Sequence, residues 1–129
     1  MADGYRETKG AISIFLKELK TILVDPKLEF ILEPREDKEF EYTTDYCLET
    51  LNYTTSDVIE ELLKLELKNY IETCDDLRNR KSKRYYVFGI KRNGKEIYIK
   101  VKIESYDNKK VLCMSFHFAE YPLKWMNKF

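Results

Sequence analysis

The amino-terminal part of the chain alternates between apolar and polar positions at the period of a helix. From about Thr8 to Val24, apolar residues recur every three or four positions, and Asp25-Pro26 ends the pattern. This spacing predicts an amphipathic helix whose apolar stripe packs in the core. Leu28, Phe30 and Leu32 then alternate with other residues, which indicates a short strand.

Two shorter helices are predicted next. Either Thr43 or Thr44 can cap a helix that runs to Leu51, and Asn52-Tyr53 breaks it. Either Thr54 or Thr55 can cap another helix, and Asp57 stands at nearly the spacing of a capping box. Both helices are therefore available to cover a sheet.

The segment after the third helix is less regular. Residues Leu65 to Tyr70 fit either a continued helix or an extended segment. Glu72 to Arg84 is predicted to be a long loop, and five of the seven residues from Arg78 to Arg84 are basic. A basic loop is often only solvated, but beside a ligand surface it can hold phosphates.

A hairpin signal follows this loop. Two runs rich in β-branched and aromatic residues, Tyr85 to Arg92 and Lys95 to Glu104, flank Asn93-Gly94. This dipeptide readily adopts the positive φ angles of a type I′ turn, and a two-residue loop fixes the register. The pairs that result on one face are all apolar, namely Ile90 with Ile97, Phe88 with Ile99 and Tyr86 with Val101.

A third strand, Lys110 to Phe118, follows Asp107-Asn108, which can also close a two-residue turn. Such a turn continues the apolar face by pairing Ile103 with Leu112, Val101 with Met114 and Ile99 with Phe116. On the other face it pairs Lys102 with Cys113, Lys100 with Ser115 and Tyr98 with His117. The pattern therefore predicts a three-stranded meander with one apolar and one polar face.

The polar face of this meander carries groups suited to acid-base chemistry. It brings together Tyr98, Lys100, Lys102 and His117, the sole histidine of the chain, with Tyr85 on the neighbouring strand. An open face of polar residues is an ordinary outcome for a sheet that is covered on one side. These side chains are also proton-transfer and charge-stabilising groups, so a functional face is an equally valid interpretation.

Length and composition predict one domain over residues 1–129. Three cysteines without a C-x-x-C pair indicate neither a disulfide framework nor a zinc site, and His117 with Glu120 lacks a second histidine for a metal site. No signal-peptide pattern and no membrane-spanning apolar run is present, so a cytoplasmic protein without membrane association is expected. No metal or cofactor is predicted.

The net charge of zero conceals an asymmetry. Residues 75–129 contain 14 Lys or Arg against 6 Asp or Glu, whereas residues 1–74 contain 9 against 17. A basic half suits a polyanionic ligand such as RNA. The two halves can also neutralise each other across their interface.

Several motifs of the C-terminal half resemble those of the MqsR family of bacterial toxins, most clearly over residues 85–123. They are Val87-Phe88-Gly89, the Asn93-Gly94 turn, the run Ile97-Tyr98-Ile99-Lys100-Val101-Lys102, and Ser115-Phe116-His117-x-Ala119-Glu120-Tyr121-Pro122. The family consists of RelE-like mRNA interferases from type II toxin–antitoxin systems. The resemblance implies a compact α+β RelE-like fold, in which a curved antiparallel sheet with a C-terminal three-stranded meander packs against N-terminal helices.

The resemblance also implies metal-independent cleavage of single-stranded RNA in the bacterial cytoplasm and a cognate antitoxin protein as partner. The family's active-site tyrosine falls on Tyr98, and its C-terminal lysine falls on His117. A further family lysine is replaced by Ile71, and the family glutamine has no counterpart near Arg84. A particular cleavage triplet is therefore not implied.

The leading hypothesis is a toxin-type endoribonuclease, a hydrolase acting on mRNA. Its predicted catalytic residues are His117, Tyr98 and Lys100, and which of His117 and Tyr98 acts as the base stays open. The predicted RNA-binding residues are Lys102, Tyr85, Arg84, Lys83, Lys81 and Arg80. The alternative is a catalytically silent RNA-binding or protein-binding module with the same fold.

Overall fold

The computed structural model describes residues 5–33, 39–75 and 84–123. In these ranges the helices are α1 (Lys9–Leu23), α2 (Thr44–Leu51) and α3 (Thr55–Leu63), with 3-10 turns at Phe40–Tyr42 and Leu67–Asn69. The strands are β1 (Glu29–Leu32), β2 (Tyr70–Cys74), β3 (Tyr85–Arg92), β4 (Lys95–Ser105) and β5 (Lys110–Phe118). They form one sheet in the order β1-β5-β4-β3-β2.

The predicted α+β class is confirmed, but the sheet is mixed rather than antiparallel. Strands β2 to β5 pair antiparallel with their neighbours, whereas β1 pairs parallel with β5. The long connection between β1 and β5 contains helices and three strands, which is enough chain to bring β1 back in the same direction. Short turns alone, from which the antiparallel meander was predicted, carry no information on this pairing.

Thr43 and Thr54, each one of the two predicted capping residues, cap α2 and α3, and Thr8 caps α1. Thr8 accepts a hydrogen bond from the Ala11 amide at 3.1 Å, and Thr43 accepts one from the Tyr46 amide at 3.2 Å. The capping box of Thr54 and Asp57 opens α3. These side chains satisfy amides that a helix start leaves without intrahelical acceptors.

The β3–β4 hairpin has the predicted register. Asn93 and Gly94 both have positive φ, at 53° and 77°, as a type I′ turn requires. All three predicted apolar pairs are present. The single turn between the strands therefore determines which side chains reach each face of the sheet.

The three helices pack on one face of the sheet. Their buried positions form a continuous core with the apolar residues of the strands, including Phe88, Ile99, Val101 and Phe116. The stacked rings of Phe15 on α1 and Tyr86 on β3, with centroids 3.9 Å apart, join the first helix to the hairpin. No helix of the described ranges is long and apolar enough to span a membrane.

The β4–β5 register agrees with the prediction at one end of the pair and departs from it at the other. Tyr98 pairs with His117, Ile99 with Phe116 and Lys100 with Ser115, as predicted. Beyond a bulge, the pairs observed are Val101 with Cys113, Lys102 with Leu112, and Ile103 with Val111, so the predicted pairs Val101–Met114, Lys102–Cys113 and Ile103–Leu112 are wrong.

Two irregularities account for this shift. Met114 is an extra residue on β5, and Glu104 is an extra residue on β4 that restores the original register at Ser105 and Lys110. The turn is also longer than the two residues predicted, since Tyr106 to Lys109 separate the strands and Lys109 takes the positive φ of 54°. Val111 and Cys113 therefore enter the core in place of Leu112 and Met114.

The loop predicted from Glu72 to Arg84 begins later than expected. Residues 70–74 form β2, which pairs with β3, and a bridge between Tyr5 and Thr73 adds the N-terminal segment beside β2. The ambiguous stretch before it is a 3-10 turn followed by this strand. Strand β2 is stabilised by its hydrogen bonds to β3. Its own short, polar sequence does not predict this pairing.

A hydrogen-bonded cluster of Tyr53, Glu61 and Arg92 joins α3 to the β3–β4 hairpin. The Arg92 guanidinium donates from Nε and Nη2 to the two carboxylate oxygens of Glu61, both at 2.6 Å, and the Tyr53 hydroxyl donates to Glu61 at 2.5 Å. Burial alone would raise the pKa of Glu61, but the hydrogen bonds from Arg92 and Tyr53 outweigh it and lower the pKa below its ordinary value. We call this group the Glu61 clamp.

The turn glycine gives a first prediction. Substituting Gly94→Ala should lower the free energy of unfolding by about 1 kcal/mol, because a Cβ at positive φ is strained even though no atom lies within 4 Å of it. Gly10→Ala in α1 is the matched control, since a Cβ there also meets nothing within 4 Å. It should raise stability by about 0.5 kcal/mol. Urea denaturation measures the free energy of unfolding of both variants and the parent. Equal changes in the two variants would contradict the need for glycine at the turn.

The Glu61 clamp predicts a pH dependence. Because its folded-state pKa is lowered, Glu61 stabilises the fold fully above its ordinary pKa of 4.5 and loses this contribution as the pH falls through the folded value. Glu61→Gln should therefore cost about 2 kcal/mol at neutral pH, and the difference from the parent should shrink below pH 4.5. Glu60→Gln, which changes the exposed neighbour, is the control. A pH-independent difference in urea titrations would show that the charge of Glu61 is not what stabilises the fold.

Candidate functional site

The predicted catalytic residues lie on the sheet face opposite the helices. Alternation along β3, β4 and β5 places Tyr85, Tyr98, Lys100, Lys102, Ser115 and His117 there. We call this set the polar sheet face. The structure therefore brings together all three predicted catalytic residues and two of the predicted RNA-binding residues, Tyr85 and Lys102.

Tyr98 and His117 are paired neighbours on this face. Their rings stack with centroids 5.3 Å apart and planes 19° from parallel. His117 Nδ1 lies 2.9 Å from the backbone carbonyl of Phe118. Because a carbonyl only accepts, Nδ1 carries a proton, and Nε2 is the nitrogen that gains or loses one.

Two lysines lie over the ring of Tyr85. The Nζ atoms of Lys100 and Lys102 are 5.2 Å and 4.9 Å from its centroid, within the range of cation–π attraction. Lys102 also forms an ion pair with Glu104, with 2.9 Å between Nζ and Oε2. Lys100 has no carboxylate partner within 4.0 Å in the described ranges, so its charge is the less compensated of the two.

The polar sheet face is more enclosed than the sequence predicts. Tyr85, Lys102, Ser115 and His117 are buried, and His117 and Lys102 each retain only 2% of their accessible surface. Part of this burial is mutual, because Tyr85 lies under both ammonium groups and His117 stacks on Tyr98. Tyr98 and Lys100 are half-buried and form the more accessible part of the face.

Strand β2 adds two residues that sequence reasoning missed. Glu72 and Cys74 pair with Val87 and Tyr85, so they share the polar sheet face. The Cys74 thiol lies 3.7 Å from Glu72 Oε2, and burial followed by the Glu72 charge raises its pKa. The alternation of Glu72 and Cys74 was visible, but their partner strand was not.

The bulge at Met114 moves Cys113 from this face into the core. Its thiol donates to the Ser115 carbonyl at 3.3 Å, and burial raises its pKa to about 12. A thiol with such a pKa stays protonated and is a poor nucleophile. Leu112 takes the position opposite Lys102 that Cys113 was predicted to occupy.

Arg84 does not join the polar sheet face. It lines a cleft of about 440 Å³ on the helix side with Phe15 and Tyr86, among others. Its guanidinium lies 3.4 Å from Glu7 and 3.5 Å from Asp75, so local carboxylates already compensate its charge. One residue along a strand reverses the face, which is why Arg84 and Tyr85 diverge.

The remaining positions singled out in the sequence lie partly outside the described residues. Lys83, Lys81 and Arg80 lie outside the described residues. Ile71, which replaces a lysine of the MqsR pattern, lies in β2 at the irregularity between Tyr70 and Glu72. The described ranges hold no group of three or more His, Cys, Asp or Glu side chains arranged to bind a metal ion.

Comparison with known proteins leaves the family open. No protein-family model matches the chain, no curated protein matches it, and no solved structure matches it. The likeness to MqsR toxins therefore remains a prediction from motifs, and function has to be argued from the site. Chemically, the polar sheet face offers two adjacent proton-transfer groups and a neighbouring cation.

Proposed function

We propose that this chain is a toxin-type endoribonuclease that cleaves single-stranded mRNA, as the MqsR-like motifs imply. The observation that supports it best is the stacked pair of Tyr98 and His117, with Lys100 two residues further along β4 on the same face. General acid-base cleavage of RNA needs two proton-transfer groups and a positive charge within reach of one phosphate. Here one face of the paired strands β4 and β5 carries all of them.

The proposed reaction is an internal transfer at phosphorus. The RNA 2′-oxygen loses its proton to the base and forms a bond to the adjacent phosphorus, while the bond from phosphorus to the 5′-oxygen breaks and the acid protonates that oxygen. The products are a 2′,3′-cyclic phosphate and a 5′-hydroxyl. His117 supplies one of the two proton-transfer groups through Nε2, because the Phe118 carbonyl holds Nδ1 protonated.

Tyr98 supplies the other proton-transfer group or orients the substrate, and the order of the two roles stays open. Lys100 stabilises the negative charge that develops on the phosphoryl oxygens. Lys102, already paired with Glu104, contributes by holding the Tyr85 ring and the local positive potential rather than by direct contact.

A nuclease of this kind in the cytoplasm requires restraint, so the proposal includes a cognate antitoxin protein as partner. Co-purification of this chain with the product of an adjacent gene tests that part. When the chain is expressed without that product, we expect growth to stop and cellular RNA to be degraded.

A second candidate function is a silent RNA-binding or protein-binding module of the same fold. The observation that favours it is the burial of His117, which retains 2% of its surface and bonds its own strand's carbonyl. In that case the histidine orders the end of β5, and Ile71 marks the loss of a catalytic cation.

Substituting His117→Gln distinguishes the two functions. If His117 transfers a proton, the rate of RNA cleavage should fall by about 100-fold and its pH dependence near neutrality should flatten. The amide can still donate to the Phe118 carbonyl, so thermal unfolding should change little. Cleavage is measured on labelled single-stranded RNA with EDTA present.

Two further results would decide against this role. Cleavage by His117→Gln at the parent rate, with Tyr98→Phe or Lys100→Ala inactive, would leave the histidine structural. A parent protein that binds RNA without cutting it would identify the silent module.

A separate prediction concerns Lys100. In a cleavage-defective His117→Gln background, Lys100→Ala should weaken binding of single-stranded RNA and reduce the slope of log K against log salt by about 0.7, the change expected for one phosphate contact. Lys17→Ala, an exposed lysine on α1 at the opposite side of the sheet, is the control and should leave the slope unchanged. Equal slopes for the His117→Gln protein and its Lys100→Ala and Lys17→Ala derivatives would show that Lys100 does not contact a phosphate.

A further inference from the structure

A second concave site lies at the end of the sheet, where the β3–β4 hairpin turns and β5 ends. We call this cleft of about 450 Å³ the end cleft; its lining includes Tyr42, Tyr46, Lys91, Lys95, Phe118 and Tyr121. Its volume falls within the range of small-molecule pockets, roughly 300–1,000 Å³. None of the predicted site residues that the structure describes lines it.

The end cleft presents aromatic rings to solvent. Tyr121 is 76% exposed, and the neighbouring Phe40, which packs edge-on against Tyr46 at 5.1 Å, is 62% exposed. Tyr46 in turn packs edge-on against Phe118 at 6.0 Å. An exposed flat ring such as that of Tyr121 offers a surface on which any nucleic-acid base can stack.

The charged groups of the end cleft are of both signs. Lys95 lies over the Phe118 ring at 4.9 Å, and Lys91 is exposed nearby. Glu41, Glu96 and Glu120 also line the cleft, so the carboxylates outnumber the lysines among its described lining residues, and Glu96 Oε1 accepts a hydrogen bond from the Leu123 amide at 3.1 Å. Carboxylates accept hydrogen bonds from the exocyclic amino groups of bases and repel a carbonyl in the same place.

The end cleft adjoins the polar sheet face. Ile97 pairs with Phe118 one residue beyond the Tyr98–His117 pair, a step of about 3.3 Å along the strands. Lys91 pairs with Glu96 on the same face as Tyr98, so the cleft is lined from both faces of the sheet. Lys91 and Glu96 therefore join the polar sheet face to the cleft, next to the position of Tyr98.

We infer that the end cleft is a nucleobase subsite for the RNA strand, and that it takes a base with an exocyclic amino group rather than uracil. The inference rests on the proposed function, because the ligand is the strand that is cut at Tyr98 and His117. Tyr121 supplies the stacking surface, Glu41 accepts from the amino group, and Lys91 and Lys95 stabilise the adjoining phosphate.

Binding of short single-stranded RNA to cleavage-defective His117→Gln protein tests the stacking surface. Adding Tyr121→Ala should weaken binding by about 5- to 150-fold, the effect of losing one base–aromatic stack. Tyr121→Phe should keep the parent affinity, because the ring remains. Tyr106→Ala is the matched control, since Tyr106 is an exposed tyrosine with a lysine over its ring at the opposite end of β4.

Base preference tests the carboxylate. The protein should bind oligoadenylate or oligocytidylate more tightly than oligouridylate, and Glu41→Ala should reduce this preference. Binding that is unchanged in Tyr121→Ala, or a preference for oligouridylate, overturns the inference, as does a failure to bind any RNA.

The two proposals fail separately. If the parent protein cuts RNA while Tyr121→Ala and Tyr106→Ala bind alike, the nuclease stands and the subsite is overturned. If the parent protein never cuts RNA but Tyr121→Ala alone weakens binding, the catalytic proposal fails and the end cleft is a base-binding site of the silent RNA-binding module.

Discussion

The pairing of β4 with β3 on one side and β5 on the other is the constraint on which the rest of the structure depends. The positive φ angles of Asn93 and Gly94 determine the β3–β4 register. That register places the odd positions of β4 in the core and the even positions on the polar sheet face. A slip by one residue would bury Tyr98 and Lys100 among the helices and expose Ile99, so the core and the candidate site depend on the same turn.

Local features of the fold were predictable because their causes lie within a few residues. A threonine cap and the Asn-Gly turn each act over three or four residues, and the helical period of α1 repeats every three or four positions. The pairing of Tyr98 with His117 was predicted correctly because the extra residues Glu104 and Met114 both lie between this pair and the turn, and their effects on the register cancel. The other half of the β4–β5 hairpin was misjudged because two extra residues, Met114 and Glu104, compensate each other and leave no mark in the alternation.

The remaining errors concern contacts between distant parts of the chain. The parallel pairing of β1, the assignment of Glu72 and Cys74 to a strand, and the ion pairs of Arg84 with Glu7 and Asp75 all join residues whose proximity no local pattern encodes. The enclosure of the polar sheet face was missed for a similar reason. Alternation identifies which residues share a face but not how closely they cover one another.

Burial changes what the polar sheet face can do electrostatically. An ammonium removed from water needs compensation, and Lys102 obtains it from Glu104 and from the Tyr85 ring. Lys100 shares the ring but has no described carboxylate within 4.0 Å, so the less compensated positive charge lies over Tyr85, on the face that also carries Tyr98. A low-dielectric surrounding strengthens the attraction of such a charge for an anion.

The Glu61 clamp has a consequence for the kinetics of folding. Glu61 and Arg92 lie 31 residues apart, on a helix and at the tip of a hairpin that each form from local contacts. The clamp can close only when both elements exist and have docked, which places it late in the folding reaction. Interactions that are absent from the transition state slow unfolding without speeding folding. The Glu61 clamp should therefore slow unfolding and lengthen the lifetime of the native state.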